Sequence, residues 1–483
     1  MEFTLFNEKE YIIKLDGEIT YTGVDAICNN NGINKLLEEA KLLCVNSELM
    51  LFIIIPTVEI GKEWNMNKKI LFFTLPFLGH INPNINSIVR LSKKYDVLCI
   101  SSKKYKAFFL DKGIKMLEYP DSIYQYYGDG IIKDDENIAR IYYASQYNSN
   151  VLSYINKKSI KLLEEIWFEL GESIEDFAPN LILNDTYAFW GGPIANRIGV
   201  HYINIDSATD MISSVQDLYF EQYIKDVIAK ETKLDINTND VIKKSNVINR
   251  QQKKKFLKFA CKSSAEYKQP LMTLAHMSKS LQISAEDMEI PYTYLGFDLD
   301  EDFEKNIEKV KQDIIYISRG TINDSYNEKI IKDIIGIFED EEKYEVVASC
   351  GIHADALNVF HNDNIKIYPS TNQIAYLQKS KLFISHGGIT GVREAIICET
   401  PIIIFPTTFH CYQVGLAIEQ LGVGIMLHMH PLSKEELKEA IERVLYNDRF
   451  NENIKKLKEE LIQTKKENNM CEIIENNLKS VLL

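Results

Sequence analysis

From Lys69 the chain settles into a repeating rhythm. The apolar run Ile70 to Leu75 stops at Pro76, a Gly-containing loop follows, and Pro83 to Lys94 has the spacing of an amphipathic helix. Tyr95 to Ser101, Asn180 to Asp185 and Val200 to Asp206 are further short apolar runs, with helical spacing between about Trp190 and Ile198. A second series starts at Ile314, with strands expected at Ile314–Ser318, Tyr344–Ser349, Ile365–Tyr368, Lys381–Ser385 and Pro401–Pro406, and a helix from Ser433 to Tyr446. Continuous apolar strands alternating with helices predict a parallel sheet covered on both faces, here twice over. Between the series, about 207–280 reads as helical, its Lys253-Lys254-Lys255 run as a solvated face. Residues 1–67 stand apart as a small β/α appendage: a hairpin around Asp16-Gly17, helical spacing from Ile33 to Cys44, and a strand from Leu51 to Val58. The expected division is an appendage at 1–67, a first Rossmann-like domain at 68–296, an acidic linker at 297–312, a second Rossmann-like domain at 313–450, and a helical tail at 451–483.

A length of 483 residues agrees with this count, at a nominal ~150 residues per domain. The composition, 45% hydrophobic and 26% charged, is that of a chain able to bury large cores. The net charge, 55 − 69 = −14, argues against unspecific binding to nucleic acid or anionic lipid. Any phosphate must therefore be met locally, by oriented donors. Eight cysteines are scattered without a CxxC pair, so neither a zinc knuckle nor a disulfide framework is expected. The start of the chain lacks a basic segment followed by an apolar core, and Met50 to Pro56 is far too short to span a bilayer. A cytoplasmic protein without a membrane span is the expectation.

In open parallel sheets ligands bind outside the carboxyl ends of the strands. After the first strand, Gly79 permits a tight turn and His80 lies at the expected mouth of a cleft, where an imidazole can serve as a general base or merely cap and pack the helix. Asp185 ends a second strand of the same domain; alone it reads as a helix cap, but beside His80 it would fix the imidazole tautomer. The strongest signal is the segment from Lys381 to Pro406. A strand ends at Ser385, His386-Gly387-Gly388 follows, and a helix begins near Thr390. Backbone N–H groups at that helix start, unobstructed by side chains, can cradle a phosphate. Glu394, two turns after His386, lies on the same side and can accept both hydroxyls of a ribose. Ser318-Arg319-Gly320-Thr321 is a second small anion-binding turn. No spacing of metal ligands stands out; His428 and His430 read as surface or packing residues.

With these residues in place, about residues 68 to 465 resemble the UDP-glycosyltransferases, in particular the bacterial branch acting on macrolides, flavonoids and similar aglycones. The resemblance implies the GT-B fold: two facing, doubly wound parallel-sheet domains, with the appendage added. It implies an inverting transfer in which His80 deprotonates an acceptor hydroxyl and Asp185 stabilises the imidazolium. It places the donor diphosphate against His386, the Gly387 and Gly388 amides and the turn of Ser318, Gly320 and Thr321, with Gln373, Thr390, Glu394, His410 and Cys411 completing the donor site. A nucleotide sugar, in the first place a UDP-sugar, is then a cosubstrate, with no further cofactor and no metal, and the other partner is a small hydrophobic acceptor. Tyr124 to Gly130 and Tyr142 to Tyr147 are aromatic-rich candidates for lining its pocket.

The departures from the family pattern lie in the sugar and base subsites. His410-Cys411 stands where the family has Asp-Gln, Asn372-Gln373 where it has Pro-Gln, Thr390-Gly391 where it has Asn-Ser, and Ser370 where a bulky residue stacks on the base. A changed sugar or weakened turnover follows. Two other readings of the same sequence stay open: a non-catalytic nucleotide-sugar-binding auxiliary protein, with residues 1–67 as the surface for a protein partner, and a nucleotide-sugar epimerase or hydrolase on the same fold.

Overall fold

The computed structural model describes residues 2–5, 11–14, 68–123, 149–207, 250–251, 253–261, 266–283, 291–297, 311–319, 331–339, 342–351, 354–357, 360, 362–406, 409–427 and 433–481. They fall into two compact units, Met1–Trp64 and Asn65–Leu483. In the first, β1 (Glu2–Leu5) pairs antiparallel with β2 (Tyr11–Lys14), so the described partner of the Tyr11 strand lies upstream of it. The turn expected at Asp16-Gly17, the helix from Ile33 and the strand from Leu51 lie outside the described residues.

In the second unit, β3 (Lys69–Phe73), β4 (Asp96–Ser101), β5 (Lys115–Glu118), β6 (Leu181–Asp185), β7 (His201–Asp206), β8 (Thr273–Ala275) and β9 (Tyr292–Tyr294) form a parallel sheet in the order β5-β4-β3-β6-β7-β8-β9. A second parallel sheet has the order β12-β11-β10-β13-β14-β15, from β10 (Ile314–Ser318), β11 (Glu345–Ser349), β12 (Ile365–Tyr368), β13 (Leu382–Ser385), β14 (Ile402–Ile404) and β15 (Gly424–Met426). Each order reverses once, between β3 and β6 and between β10 and β13. Loops leaving a switch point diverge to opposite faces of the sheet and leave a crevice between them.

Strand alternation explains why both faces are covered. Ile70 and Phe72 pack with Ile81 and Ile88 of α1 (Leu78–Ser92), whereas Leu71 and Phe73 pack with Leu162, Leu163 and Ile166 of α2 (Ser149–Phe177) on the other face. In the second lobe Ile315 and Ile317 face Leu437 and Ile441 of α7 (Lys434–Leu445). Ile314 and Tyr316 face Val392 and Ile396 of α5 (Ile389–Ile397), together with Leu457 of α8 (Asp448–Glu467). The remaining helices used below are α3 (Gly191–Arg197), α4 (Gln373–Lys379), α6 (Phe409–Gln420) and α9 (Met470–Val481).

Several elements differ from the sequence reading. Strand β8 lies within the stretch at about 207–280 that was expected to be helical, and β5, β9 and β15 are further strands. All four are only three or four residues long, too short to register as apolar runs. One helix start and the tail also change. Helix α1 begins at Leu78 rather than at Pro83, so His80 lies in its first turn and Pro83 lies inside the helix. The tail is two helices, not one. After α8 has packed on the second lobe, α9 returns to the first, inserting Met470, Ile474 and Leu478 beside Ile70 and Leu91. Its Glu475 accepts from Lys94 Nζ at 2.7 Å.

Candidate active site

The first-lobe half of the site hangs on the switch point between β3 and β6. His80 leaves the carboxyl end of β3 and Asp185 ends β6, and its Oδ2 lies 2.9 Å from His80 Nδ1. The carboxylate is fully buried, with 0% of its side chain exposed, against 19% for the imidazole. A carboxylate only accepts, so Nδ1 carries the proton and Nε2 presents its lone pair. The other carboxylate oxygen, Oδ1, accepts from the backbone N–H of Tyr187 at 3.0 Å, which fixes the orientation of Asp185. Burial works against a charged imidazole, but the charge and hydrogen bond of Asp185 outweigh it, aided by Asp206, and His80 is more basic than an ordinary histidine. Behind the dyad, Asn84 Nδ2 donates to the carbonyl of His80 at 2.8 Å and to Ser207 Oγ at 3.1 Å, while its Oδ1 accepts from His276 Nε2 at 2.7 Å.

The second-lobe half hangs on β10 and β13, whose ends are in register, Ser318 beside Ser385. Ser385 Oγ accepts from the amide of Gly387, which has φ +90°, a conformation natural to glycine. A Cβ on Gly388 would come within 2.7 Å of His386 Nε2 and 2.8 Å of Cε1, so that edge of the ring closes on the backbone at the start of α5. His386 Nδ1 is buried without a protein partner. Burial, reinforced by the nearby Arg319 guanidinium, pushes His386 down to about 3, so the ring is neutral. Arg319 itself is buried, and its Nη1 donates to the carbonyl of Phe405. Glu394 accepts from Gln373 Nε2 at 2.5 Å, and burial raises its carboxyl above the usual range against the pull of that bond and of Arg393. Cys411, in the first turn of α6, is buried, and its carbonyl lies against the space a Gly387 side chain would fill.

The two halves touch. Thr390 Oγ1 donates to the carbonyl of Gly79 at 3.1 Å. The hydroxyl of Tyr187 lies 3.0 Å from His410, and its ring meets His410 edge-on at 5.1 Å and His80 at 5.5 Å. An imidazole with a free lone pair on one lobe therefore faces a glycine-lined helix start and a buried guanidinium on the other. Such a crevice can take a proton from one ligand while holding the anionic group of another. Of the residues expected from the sequence, His80, Asp185, Ser318, Gln373, His386, Gly387, Gly388, Thr390, Glu394, His410 and Cys411 are among those described, and all lie at these strand ends and helix starts except Glu394, which lies in the second half of α5. Gly320, Thr321, the aromatic segments at 124–130 and 142–147, and the His428 and His430 pair lie outside the described residues. Sequence reasoning missed Tyr187 and the charge of Arg319; the signals were an aromatic two residues after Asp185 and a cation within an anion-binding turn.

Comparison with known proteins gives the same fold. Residues 343–476 match the family described as erythromycin biosynthesis protein CIII-like, C-terminal domain. Over 81% of its length the chain is 24% identical to 93% of the NDP-glycosyltransferase YjiC of Bacillus subtilis, and 22% identical to 93% of the uncharacterized UDP-glucosyltransferase YojK of the same organism. The calicheamicin glycosyltransferase CalG4 superposes with a TM-score of 0.62 at 16% identity, covering 86% of this chain and 98% of its own.

Proposed function

We propose that this chain, a GT-B glycosyltransferase related to the bacterial UDP-glycosyltransferases, moves a sugar from a nucleotide sugar to a hydroxyl of a small hydrophobic acceptor with inversion at the anomeric carbon. The observation that carries the reading is the His80–Asp185 pair on one lobe, set opposite the His386-Gly387-Gly388 helix start on the other. His80 Nε2 takes the proton of the acceptor hydroxyl as its oxygen forms a bond to the anomeric carbon. The bond from that carbon to the diphosphate oxygen breaks, and its electron pair leaves with the diphosphate. Asp185 stabilises the imidazolium. The amides at the start of α5, His386 and the Arg319 guanidinium stabilise the charge that develops on the leaving group, and the reading needs no metal ion. In this reading Glu394, which accepts from Gln373, is the acceptor for the ribose hydroxyls. With His410-Cys411 in the sugar subsite, a changed sugar or a slower turnover is expected; the UDP-linked relatives support uridine as the base.

The test is a panel of α-linked UDP- and dTDP-sugars, offered with and without hydroxylated aromatic acceptors, with the product anomer read by NMR coupling constants. A β-linked product, formed only when acceptor is present, is the expected result. An α-linked product overturns inversion. Donor breakdown or epimerisation without acceptor supports the hydrolase or epimerase reading, and nucleotide binding without turnover supports the auxiliary one.

A further inference from the structure

Helix α5 carries a charge where its pattern calls for an apolar side chain. Ile389, Val392, Ile396 and Ile397 form its buried stripe, and Arg393 falls among them with 0% of its surface exposed. Its Nη2 donates to Thr390 Oγ1 at 3.2 Å, and Phe297 lies 5.2 Å from the guanidinium, while Nε and Nη1 are buried without a hydrogen-bond partner. The Glu394 and Asp206 charges offset its burial only in part, so a cation with two nitrogens lacking hydrogen bonds is costly as a purely structural element.

What it does hold is Thr390. Having accepted from Arg393, Thr390 Oγ1 gives its own proton to the carbonyl of Gly79 on the other lobe. That carbonyl is available because of Pro83. In α1 its regular partner would be the N–H of residue 83, which proline lacks. The Gly79 carbonyl belongs to the peptide joined to His80. A chain of two hydrogen bonds thus runs from the buried cation of the donor lobe to the backbone that carries the imidazole, opposite the bond from Asn84 to the His80 carbonyl.

Resting on the assignment of His80 as the base, we propose that Arg393 is a positioning residue for it, locking the turn that carries the imidazole to the donor-binding helix through Thr390 and the orphan carbonyl of Gly79. The groups facing His80 are Asp185 from β6, Tyr187 beyond it, Asp206 from β7 and Arg393 from α5. His276 lies behind it through Asn84, and His410 of α6 lies beyond Tyr187. Among these, the Arg393 cation opposes Asp185 and Asp206 in setting the basicity of the imidazole.

The experiment compares Arg393→Met, Arg393→Lys and His80→Ala by transfer kinetics across pH, UDP affinity by calorimetry, and melting temperature. Arg393→Met is expected to melt no lower than the wild type, to bind UDP within about twofold, and to lose about tenfold in kcat. Its acidic limb is expected to move to higher pH, because the opposing charge is gone. Arg393→Lys restores the limb to its wild-type position, along with part of kcat. Wild-type kcat and limb in Arg393→Met overturn the proposal, as does a loss of UDP affinity that matches the loss of kcat, which would make Arg393 a donor ligand. His80→Ala separates the two layers: full activity there removes the base assignment itself, whatever Arg393 does.

Discussion

Three buried or half-buried imidazoles in this chain are shifted in opposite directions, and the neighbouring charge decides which. Burial penalises the cation in all three. His386, beside Arg319, and His276, near Arg393, are pushed down to about 3 and stay neutral. His80, beside Asp185, ends above the ordinary histidine value. A base raised in this way is neutral only on the alkaline side of its pKa, so the acidic limb of kcat/KM should lie above pH 6.5. In Asp185→Asn the pull toward the cation is lost, the limb should move to lower pH, and the rate should fall by about 10²–10⁴-fold, the usual span for a general base. Rate–pH profiles of the two proteins check this; an unmoved limb would detach Asp185 from the titration. The same pair links to stability: because the folded-state pKa is raised, its contribution is complete below about pH 6.5 and fades as pH rises through the raised value. The positions of His80 and Asp185 were legible in the sequence because the first lies in the loop-and-helix segment after an apolar strand and the second ends one. Arg319 and Arg393 were not, since the groups that give them meaning, His386 and Gly79, sit on other elements.

Helices and strands were read well where the apolar pattern was continuous, as in β3, β6, β10 and β13, and less well where one residue pointed the wrong way. Pro83 marked the expected start of α1 because proline favours the first helical position. The helix instead begins at Leu78, since the carbonyl left unpaired by Pro83 finds a donor in Thr390. No local pattern can announce a partner that lies on another lobe. The turn before α5 was legible, by contrast, because its geometry is set by its own glycines. Adding a Cβ at Gly388 places it 2.7 Å from His386 Nε2 and 2.8 Å from Cε1, so the ring must swing away from the start of α5. Gly388→Ala should therefore lose about tenfold or more in UDP affinity, equivalent to ~1.4 kcal/mol. A flexible side chain absorbs the clash, so the melting temperature should change little. Calorimetric titration with UDP and a thermal melt read both, and undiminished affinity would remove the ring from the donor site.

At the scale of the whole molecule, two parallel sheets each present a switch point, and the contacts of Thr390 with Gly79 and of Tyr187 with His410 join the two halves of the site. The doubly wound architecture was legible from strand and helix alternation alone. The crossing contacts, Tyr187 with His410 and Thr390 with Gly79, and the return of α9 to the first lobe were not, because they depend on how two separately folded cores meet. Among the described residues no helix is long and apolar enough to cross a membrane. The central claim is that an imidazole on one lobe deprotonates an acceptor whose sugar partner is pinned by its diphosphate to the other. The most direct test is His80→Ala, measured for single-turnover sugar transfer and for UDP affinity on the same preparation. The expected result is transfer slowed by about 10²–10⁴-fold with UDP affinity retained within about twofold; transfer at the wild-type rate contradicts it.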